Sequence, residues 1–87
     1  MKAIVTVVGK DQVGIIASVC SLLSQAGANI LDISQTVLQE YFTMVMLVDL
    51  ADMDFAKISS ELDKAGEEKG LSIRIQREEI FNAMHRI

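Results

Sequence analysis

The sequence contains no proline, no tryptophan and a single cysteine among its 87 residues, and only 5% of its residues are aromatic. Cys20 has no partner for a disulfide within the chain, so the sequence lacks the cysteine framework of small secreted domains. It also lacks an apolar run near the ~20 residues of a transmembrane helix, and its N-terminal segment lacks the longer apolar region of a signal peptide. We therefore expect a cytoplasmic protein that does not enter a membrane.

Basic side chains are in the minority, with 8 lysines and arginines against 12 acidic residues and a formal net charge of −4. Binding to a phosphate backbone needs clustered basic residues. RNA-binding sheets of small domains also display several aromatic side chains on one face, whereas Tyr41 and Phe42 are adjacent and so lie on opposite faces of a strand. Nucleic acid is therefore not expected as a partner.

The chain is rich in apolar residues, which make up 51% of it. At this length we expect one domain with one modest core, because folding removes only about 60–65% of the unfolded chain's surface from water. Much of the apolar surface must be buried in that core or against another chain.

Four segments have the pattern of β-strands. Residues 3–8 and 41–50 are apolar on both faces, which is typical of central strands. Residues 28–38 and 71–76 alternate apolar and polar side chains, which is typical of half-buried edge strands. In the second strand the alternation places Leu31, Ile33 and Val37 on one face.

Three segments have apolar residues at helical spacing: 13–26, 52–69 and 78–87. Gly27 follows the first of them, at the position where a left-handed residue often ends a helix. Asp52 and Asp54 stand at the start of the second, where acidic side chains favour the helix dipole. Gly66 falls in the last turns of this helix, where glycine is unfavourable.

The resulting order, β-α-β-β-α-β followed by a short C-terminal helix, predicts an α+β sandwich. In the split βαβ arrangement, strands one and three lie in the middle of an antiparallel sheet, and two helices cover one face. We assign residues 1–78 to the domain and 79–87 to a helical tail that packs on the domain or on a dimer partner. Either the tail helix or a second subunit is expected to cover the remaining apolar face. We predict a homodimer interface containing Val45, Leu47, Phe81 and Met84, formed either face to face or through strand edges.

Few residues suit metal binding or catalysis. Cys20 falls within a helix beside core positions, His85 is the only histidine, and the serines of the first helix have no histidine to activate them. The acidic residues Asp49, Asp52 and Asp54 could imitate a cation site, but acids at a helix start explain two of them. We expect no catalytic residue, no metal and no cofactor.

The informative segment is the loop formed by residues 9–14. Gly9 ends the first strand, Asp11 can cap the following helix, and Gly14 leaves the first helical turn without a side chain. Free amides at a helix start can hold an anion such as a carboxylate. Glycine in a first turn costs up to about 1 kcal/mol relative to alanine, which suggests either close approach of a ligand or tight packing of the helix on the sheet.

These residues resemble a known family. Asp11-x-x-Gly14, an aliphatic helix, and then Gly27-x-Asn29-Ile30 resemble the ACT domain, a regulatory ligand-binding module with this ferredoxin-like βαββαβ fold. The resemblance covers residues 3–77. With the tail, it is strongest to small stand-alone bacterial ACT proteins, and it extends to the ACT domains of formyltetrahydrofolate deformylases and glycine cleavage system repressors.

The resemblance implies a ligand site between two ACT domains, where the first loop of one chain faces the start of strand two of the other. Asp11 matches the position that recognises the ligand's amino group, Gly14 the glycine that allows close approach, and Asn29 an asparagine whose amide both donates and accepts hydrogen bonds. Gly9 stands where some serine-binding members have histidine. The other ligand contacts implied in this way are Gln12, Val13, Ile15 and Ile30.

The expected function is therefore that of a non-enzymatic regulatory module, a homodimer that binds an amino acid and signals to a metabolic enzyme or regulator. One alternative is a constitutive protein interaction module, in which Asp11 only caps the helix and Asn29 only forms a turn. A second is a small hydrolase of the acylphosphatase type. That enzyme needs an arginine in the first loop, where this chain offers only Lys10, which lacks the planar guanidinium fork.

Overall fold

The computed structural model describes residues 1–10 and 14–79, which form a four-stranded antiparallel sheet and two helices. The strand order is β2-β3-β1-β4, with β1 and β3 in the middle. This is the predicted ferredoxin-like βαββαβ fold. The predicted C-terminal helix lies outside the described residues apart from Glu78 and Glu79, so this helix and the tail 79–87 stay predictions. The elements are β1 (Lys2–Lys10), α1 (Ile15–Gln25), β2 (Asn29–Leu38), β3 (Tyr41–Asp49), α2 (Phe55–Lys69) and β4 (Ser72–Arg77).

The core lies between the helices and one face of the sheet. Alternate residues of the two central strands are buried there, and each helix contributes the apolar stripe that its sequence predicts. Within the described part of the chain, no polar or charged residue is buried. The fully buried larger side chains are Val5, Val7, Leu23, Met44, Met46, Val48, Leu50, Ile58 and Leu62.

The opposite face of the sheet, called here the open sheet face, is covered by no described residue. Val45 and Leu47 lie on it half-buried, as does Ile4 of the neighbouring strand, and Val8 is 41% exposed. The central strands are thus buried on the helix face only, whereas their sequence suggests burial on both. In a single copy nothing described supplies the second layer that their apolar residues would need.

Strand β2 is an edge strand, as predicted, but all ten of its residues remain exposed, the apolar ones to between 37% and 71%. An edge strand is shielded by only one neighbouring strand, and no β2 residue joins the core cluster. A β-bulge between Ile30 and Asp32 also changes the predicted alternation. It leaves Leu31 unpaired and places Ile30 opposite Val48, on the same face as Ile33.

Both helices begin later than the sequence suggests. The N-cap of α1 is Gly14, and the N-cap of α2 is Asp54, whose carboxylate accepts a hydrogen bond of 3.0 Å from the amide of Ala56. Asp52 therefore precedes the helix. Gly27 has φ 91° and ends α1 as predicted. At 11 and 15 residues, neither of these described helices is long and apolar enough to cross a bilayer.

Candidate ligand-binding site

The predicted ligand loop begins where β1 ends. Strand β1 runs through Gly9 to Lys10, one residue past its predicted end, and α1 begins at Ile15. Gly9 lies where the strand approaches Leu71, so that an added Cβ atom would clash with the Leu71 side chain. Asp11, Gln12 and Val13 lie outside the described residues, so their predicted roles as ligand contacts stay predictions.

Gly14 has a backbone reason to be glycine. Its φ of 89° lies in the left-handed region, which side chains other than glycine rarely adopt. A Cβ atom added to Gly14 would meet no described atom within 4 Å. Tight packing against the described residues is therefore not what requires glycine here, and none of them fills the space beside Gly14.

The first turn of α1 presents backbone amides at this end of the sheet. The carbonyl of Gly14 accepts the first helical hydrogen bond, 2.9 Å from the amide of Ser18. The amides before Ser18 have no carbonyl partner within the helix, by the geometry of any helix start. Ile15, a predicted pocket residue, has its side chain in the core, whereas the next residue, Ile16, is 37% exposed.

Asn29 begins β2 and is exposed. Among the described residues its side chain makes no hydrogen bond, so its amide is not used to form a turn. The neighbouring Ile30 is 37% exposed. Directly opposite Asn29 on β3 lies Asp49, a carboxylate at this end of the sheet that sequence reasoning did not include in the site.

Asp49 is ionised more readily than an ordinary aspartate. Its Oδ1 accepts a hydrogen bond of 2.9 Å from the amide of Ala51 and lies 3.6 Å from the N-terminal ammonium group of Met1. The hydrogen bond from Ala51 is the main reason that the pKa of Asp49 is lowered, and the positive charges of the N-terminus and of Lys2 add to it.

The two halves of the predicted site lie at opposite ends of the sheet. Lys10, which leads into the loop, pairs with Tyr41 at the beginning of β3, and Asn29 pairs with Asp49 at its end. Nine residues of β3 separate the two positions, which corresponds to about 25 Å at ~3.3 Å per residue. A single copy therefore cannot bring Gly14 and Asn29 to one amino acid.

A second copy can do so. If two β2 strands paired antiparallel about a two-fold axis, Asn29 of the partner copy would lie beside the Leu38 end of β2, the end of the sheet where α1 begins. The β2 edge is suited to such pairing, because it is long, borders solvent and carries one charged residue, Asp32. Two of its apolar residues are well exposed to solvent, Val37 to 58% and Leu38 to 71%.

Of the predicted dimer interface, the structure describes Val45 and Leu47, which lie half-buried on the open sheet face. Phe81 and Met84 lie outside the described residues. The face is thus a candidate interface that is separate from the β2 edge.

Other candidate chemistry finds little support in the described residues. No group of three or more His, Cys, Asp or Glu side chains there is arranged to hold a metal ion. Lys10, the cation considered for a hydrolase, lies 3.9 Å from the carboxylate of Glu40. A groove between the helices, about 570 Å³ in volume, is open to solvent and has mixed polar and apolar walls, which include Leu22, Met53, Asp54, Lys57 and Glu61.

The family model for the ACT domain matches residues 2–76. The chain belongs to the ACT domain family. A UPF0237 protein of Clostridium acetobutylicum is 58% identical over the whole of both chains. A UPF0237 protein of the archaeon Methanocaldococcus jannaschii is 49% identical over 99% of this chain and 98% of that protein, so the relatives are not bacterial alone.

Solved structures agree with this assignment. An ACT domain protein from Streptococcus pneumoniae is 48% identical, covers 98% of each chain and superposes with a TM-score of 0.84. A candidate glycine cleavage system transcriptional repressor is 28% identical with a TM-score of 0.79, over 86% of this chain and 44% of that one. A formyltetrahydrofolate deformylase from Pseudomonas putida, 15% identical over 87% of this chain and 28% of that one, shares the fold with a TM-score of 0.80. The resemblance stated from the sequence is confirmed, and with it a regulatory type of domain.

Proposed function

We propose that this ACT domain protein is a non-enzymatic sensor that binds a free amino acid between two copies of the chain. In its bound form it contacts a metabolic enzyme or regulator. The observation that carries the proposal is the separation of Gly14 and Asn29 to opposite ends of the sheet, because these two family positions can meet a single ligand only across a two-fold axis.

The chemistry at the two positions suits the two ends of an α-amino acid. The amides at the start of α1 favour a carboxylate, since they lack intrahelical partners and lie at the positive end of the helix dipole. The exposed amide of Asn29 offers a donor and an acceptor. In the family pattern, Asp11 adds a carboxylate for the ligand's ammonium group.

Ligand binding and self-association are then thermodynamically linked. A ligand held by both copies binds the dimer more tightly than the single chain, so it raises both the dimer population and the stability of the fold. We place the protein in the cytoplasm, since a single cysteine suits a reducing compartment.

A thermal-shift screen of the twenty amino acids tests the proposal. At a concentration 100 times its Kd, the correct ligand stabilises the folded protein by about 2.7 kcal/mol, which is a rise of roughly 10 °C or more for a domain of this size. Asn29→Ala and Asp11→Ala are expected to abolish the shift. Ser60→Ala, an exposed polar truncation on α2, away from β2 and from the first loop, is the control and is expected to keep it.

Absence of a shift with every amino acid, at concentrations up to several millimolar, would contradict the amino-acid proposal. A shift that survives Asn29→Ala at full size would contradict the proposed site. Sedimentation equilibrium with and without the ligand found by the screen tests the linkage, since the dimer fraction must rise with ligand concentration.

A further inference from the structure

The open sheet face has an apolar centre. Ile4 on β1 pairs directly with Leu47 on β3, and Val45 and Val8 lie nearby on the same face. These four residues are half-buried or exposed in a single copy, and no described residue packs over them. An apolar surface in the middle of a sheet favours contact with another apolar layer.

Charged residues divide this face into two halves. The acidic side chains are Asp32 on β2 and Asp49 on β3, and the basic ones are Lys2 on β1 and Arg74 on β4. Because the strand order is β2-β3-β1-β4, the acidic residues lie on one half and the basic residues on the other. Lys10, on the basic half, is partly neutralised by Glu40 at 3.9 Å.

We propose that the open sheet face binds the open sheet face of a second copy, about a two-fold axis that runs parallel to the strands between β1 and β3. This axis places β1 of one copy over β3 of the other and β4 over β2. Ile4 of one copy then lies over Leu47 of the second copy, and Leu47 lies over Ile4 of the second copy. Lys2 and Asp49 are paired in the same register, so opposite charges also meet across the interface.

The outer strands are complementary in this arrangement as well. Arg74 is level with Ser34 across the sheet, since both are in register with the paired residues Thr6 and Val45. In the dimer, Arg74 therefore lies over Ser34 of β2, one same-face position from Asp32. An arginine side chain can span that offset to a carboxylate on a sheet packed about 10 Å away.

The other simple axis, perpendicular to the strands, is disfavoured by charge. It would stack β1 on β1 and β4 on β4 in opposite directions. Arg74 of one copy would then lie over Arg74 of the second copy, and Lys2 would lie over Lys10 of the second copy. Like charges opposed in this way repel each other, so the charges select the axis that is parallel to the strands.

The face is large enough for a stable dimer. The four strands are six to ten residues long. At about 4.8 Å between strands and ~3.3 Å per residue, their faces bury about 1,100 Å² over both copies, above the ~1,000 Å² of a specific interface. The contact uses side chains of the open sheet face, whereas pairing at the β2 edge uses the backbone groups of that strand.

Charge exchange tests the proposed contact. In one copy Asp32 and Arg74 lie on the two outer strands, about 14 Å apart across two intervening strands. They are too distant to pair within the chain. Arg74→Glu and Asp32→Arg are each expected to weaken face-to-face association by about tenfold or more, and the double variant Asp32→Arg/Arg74→Glu is expected to restore it. Lys64→Glu, the same change of charge on the outer surface of α2, is the control.

Sedimentation equilibrium of the full chain without amino acids, at low salt, provides the readout. Leu47→Asp is expected to abolish this association while circular dichroism shows a folded chain and any ligand-induced thermal shift is retained. If Leu47→Asp and the charge variants all have the same mass in solution as the parent protein, the proposal is overturned. That result is expected if residues 80–87 cover the face instead. Loss of association in both single variants without recovery in the double variant would also overturn it.

Discussion

Gly66 packs so closely against the residue that leads into β4 that a Cβ atom added there would lie 2.8 Å from the carbonyl oxygen of Leu71. In return, the carbonyl of Gly66 accepts a hydrogen bond of 2.8 Å from the amide of Leu71. The last turn of α2 and the start of β4 are therefore in backbone contact, which only glycine permits. This contact explains why the helix continues through a residue that is unfavourable in helices.

Gly66→Ala is expected to destabilise the protein although alanine is the better helix former. The helix gains about 1 kcal/mol in propensity, but the overpacked contact costs about 1–3 kcal/mol, because the neighbouring atom is backbone and cannot rotate away. We expect a lower midpoint in urea unfolding. Ser60→Ala, at an exposed position of the same helix, is expected to leave stability unchanged or raise it slightly. A Gly66→Ala protein more stable than the parent would show that the two segments separate easily.

Asp54 and Asp52 are expected to differ in their contributions to stability. The Asp54 carboxylate caps α2 by accepting from the amide of Ala56 at 3.0 Å, whereas Asp52 lies before the helix. Asp54→Ala should cost about 1 kcal/mol and Asp54→Ser much less, because serine is also a good N-cap. Asp52→Ala should change the free energy of unfolding by less than about 0.5 kcal/mol. Equal losses at the two positions in thermal unfolding would contradict the assigned cap.

Asp49 is expected to make stability depend on acid pH. Its pKa is lowered from the ordinary value of 3.8, first by the hydrogen bond from the amide of Ala51 and then by the nearby N-terminal charge. The folded state thus binds the proton less tightly than the unfolded chain does. The stabilisation is complete above the unfolded pKa and is lost as the pH falls through the lower, folded pKa.

The measurement is the melting temperature of the parent and of Asp49→Asn between neutral pH and the lowest pH at which the chain still folds. The parent should be the more stable at neutral pH, and the difference should shrink only below about pH 4. A difference that stays constant down to that lowest pH would contradict a role for the ionised carboxylate.

Gly14 is expected to tolerate substitution according to backbone conformation rather than size. Its φ is 89°, and no described atom lies within 4 Å of an added Cβ. Gly14→Asn should therefore cost less than Gly14→Val, since asparagine visits the left-handed region more readily than β-branched residues do. We expect the valine variant to lose about 1–2 kcal/mol in chemical unfolding. If the proposed ligand approaches this position, both variants should also lose its thermal shift.

The order of elements and the positions of the strands in the sheet follow from local patterns. Continuous apolar runs distinguish central strands from alternating edge strands, and a period near 3.6 marks the two helices. The family motif lies in short segments of fixed spacing, from Asp11 to Gly14 and from Gly27 to Ile30, so it too can be read along the chain.

The candidate site was predicted only in part. The sequence names Gly14 and Asn29, but it does not show that the end of β1, which leads to Gly14, and the start of β2 lie at opposite ends of the sheet, because that depends on how β3 pairs with both strands. Asp49 opposite Asn29 could have been found only from the strand register, which the bulge at Leu31 shifts.

The sequence by itself determined which residues form strands and helices, and that the chain has more apolar surface than its own core can bury, since both properties depend on composition and on short periods. Only the tertiary structure decided where that surface lies. It exposes the whole of β2 and one face of the sheet, and it separates the acidic from the basic residues on that face. These arrangements result from pairing between strands that are distant in the sequence, and no local pattern encodes that pairing.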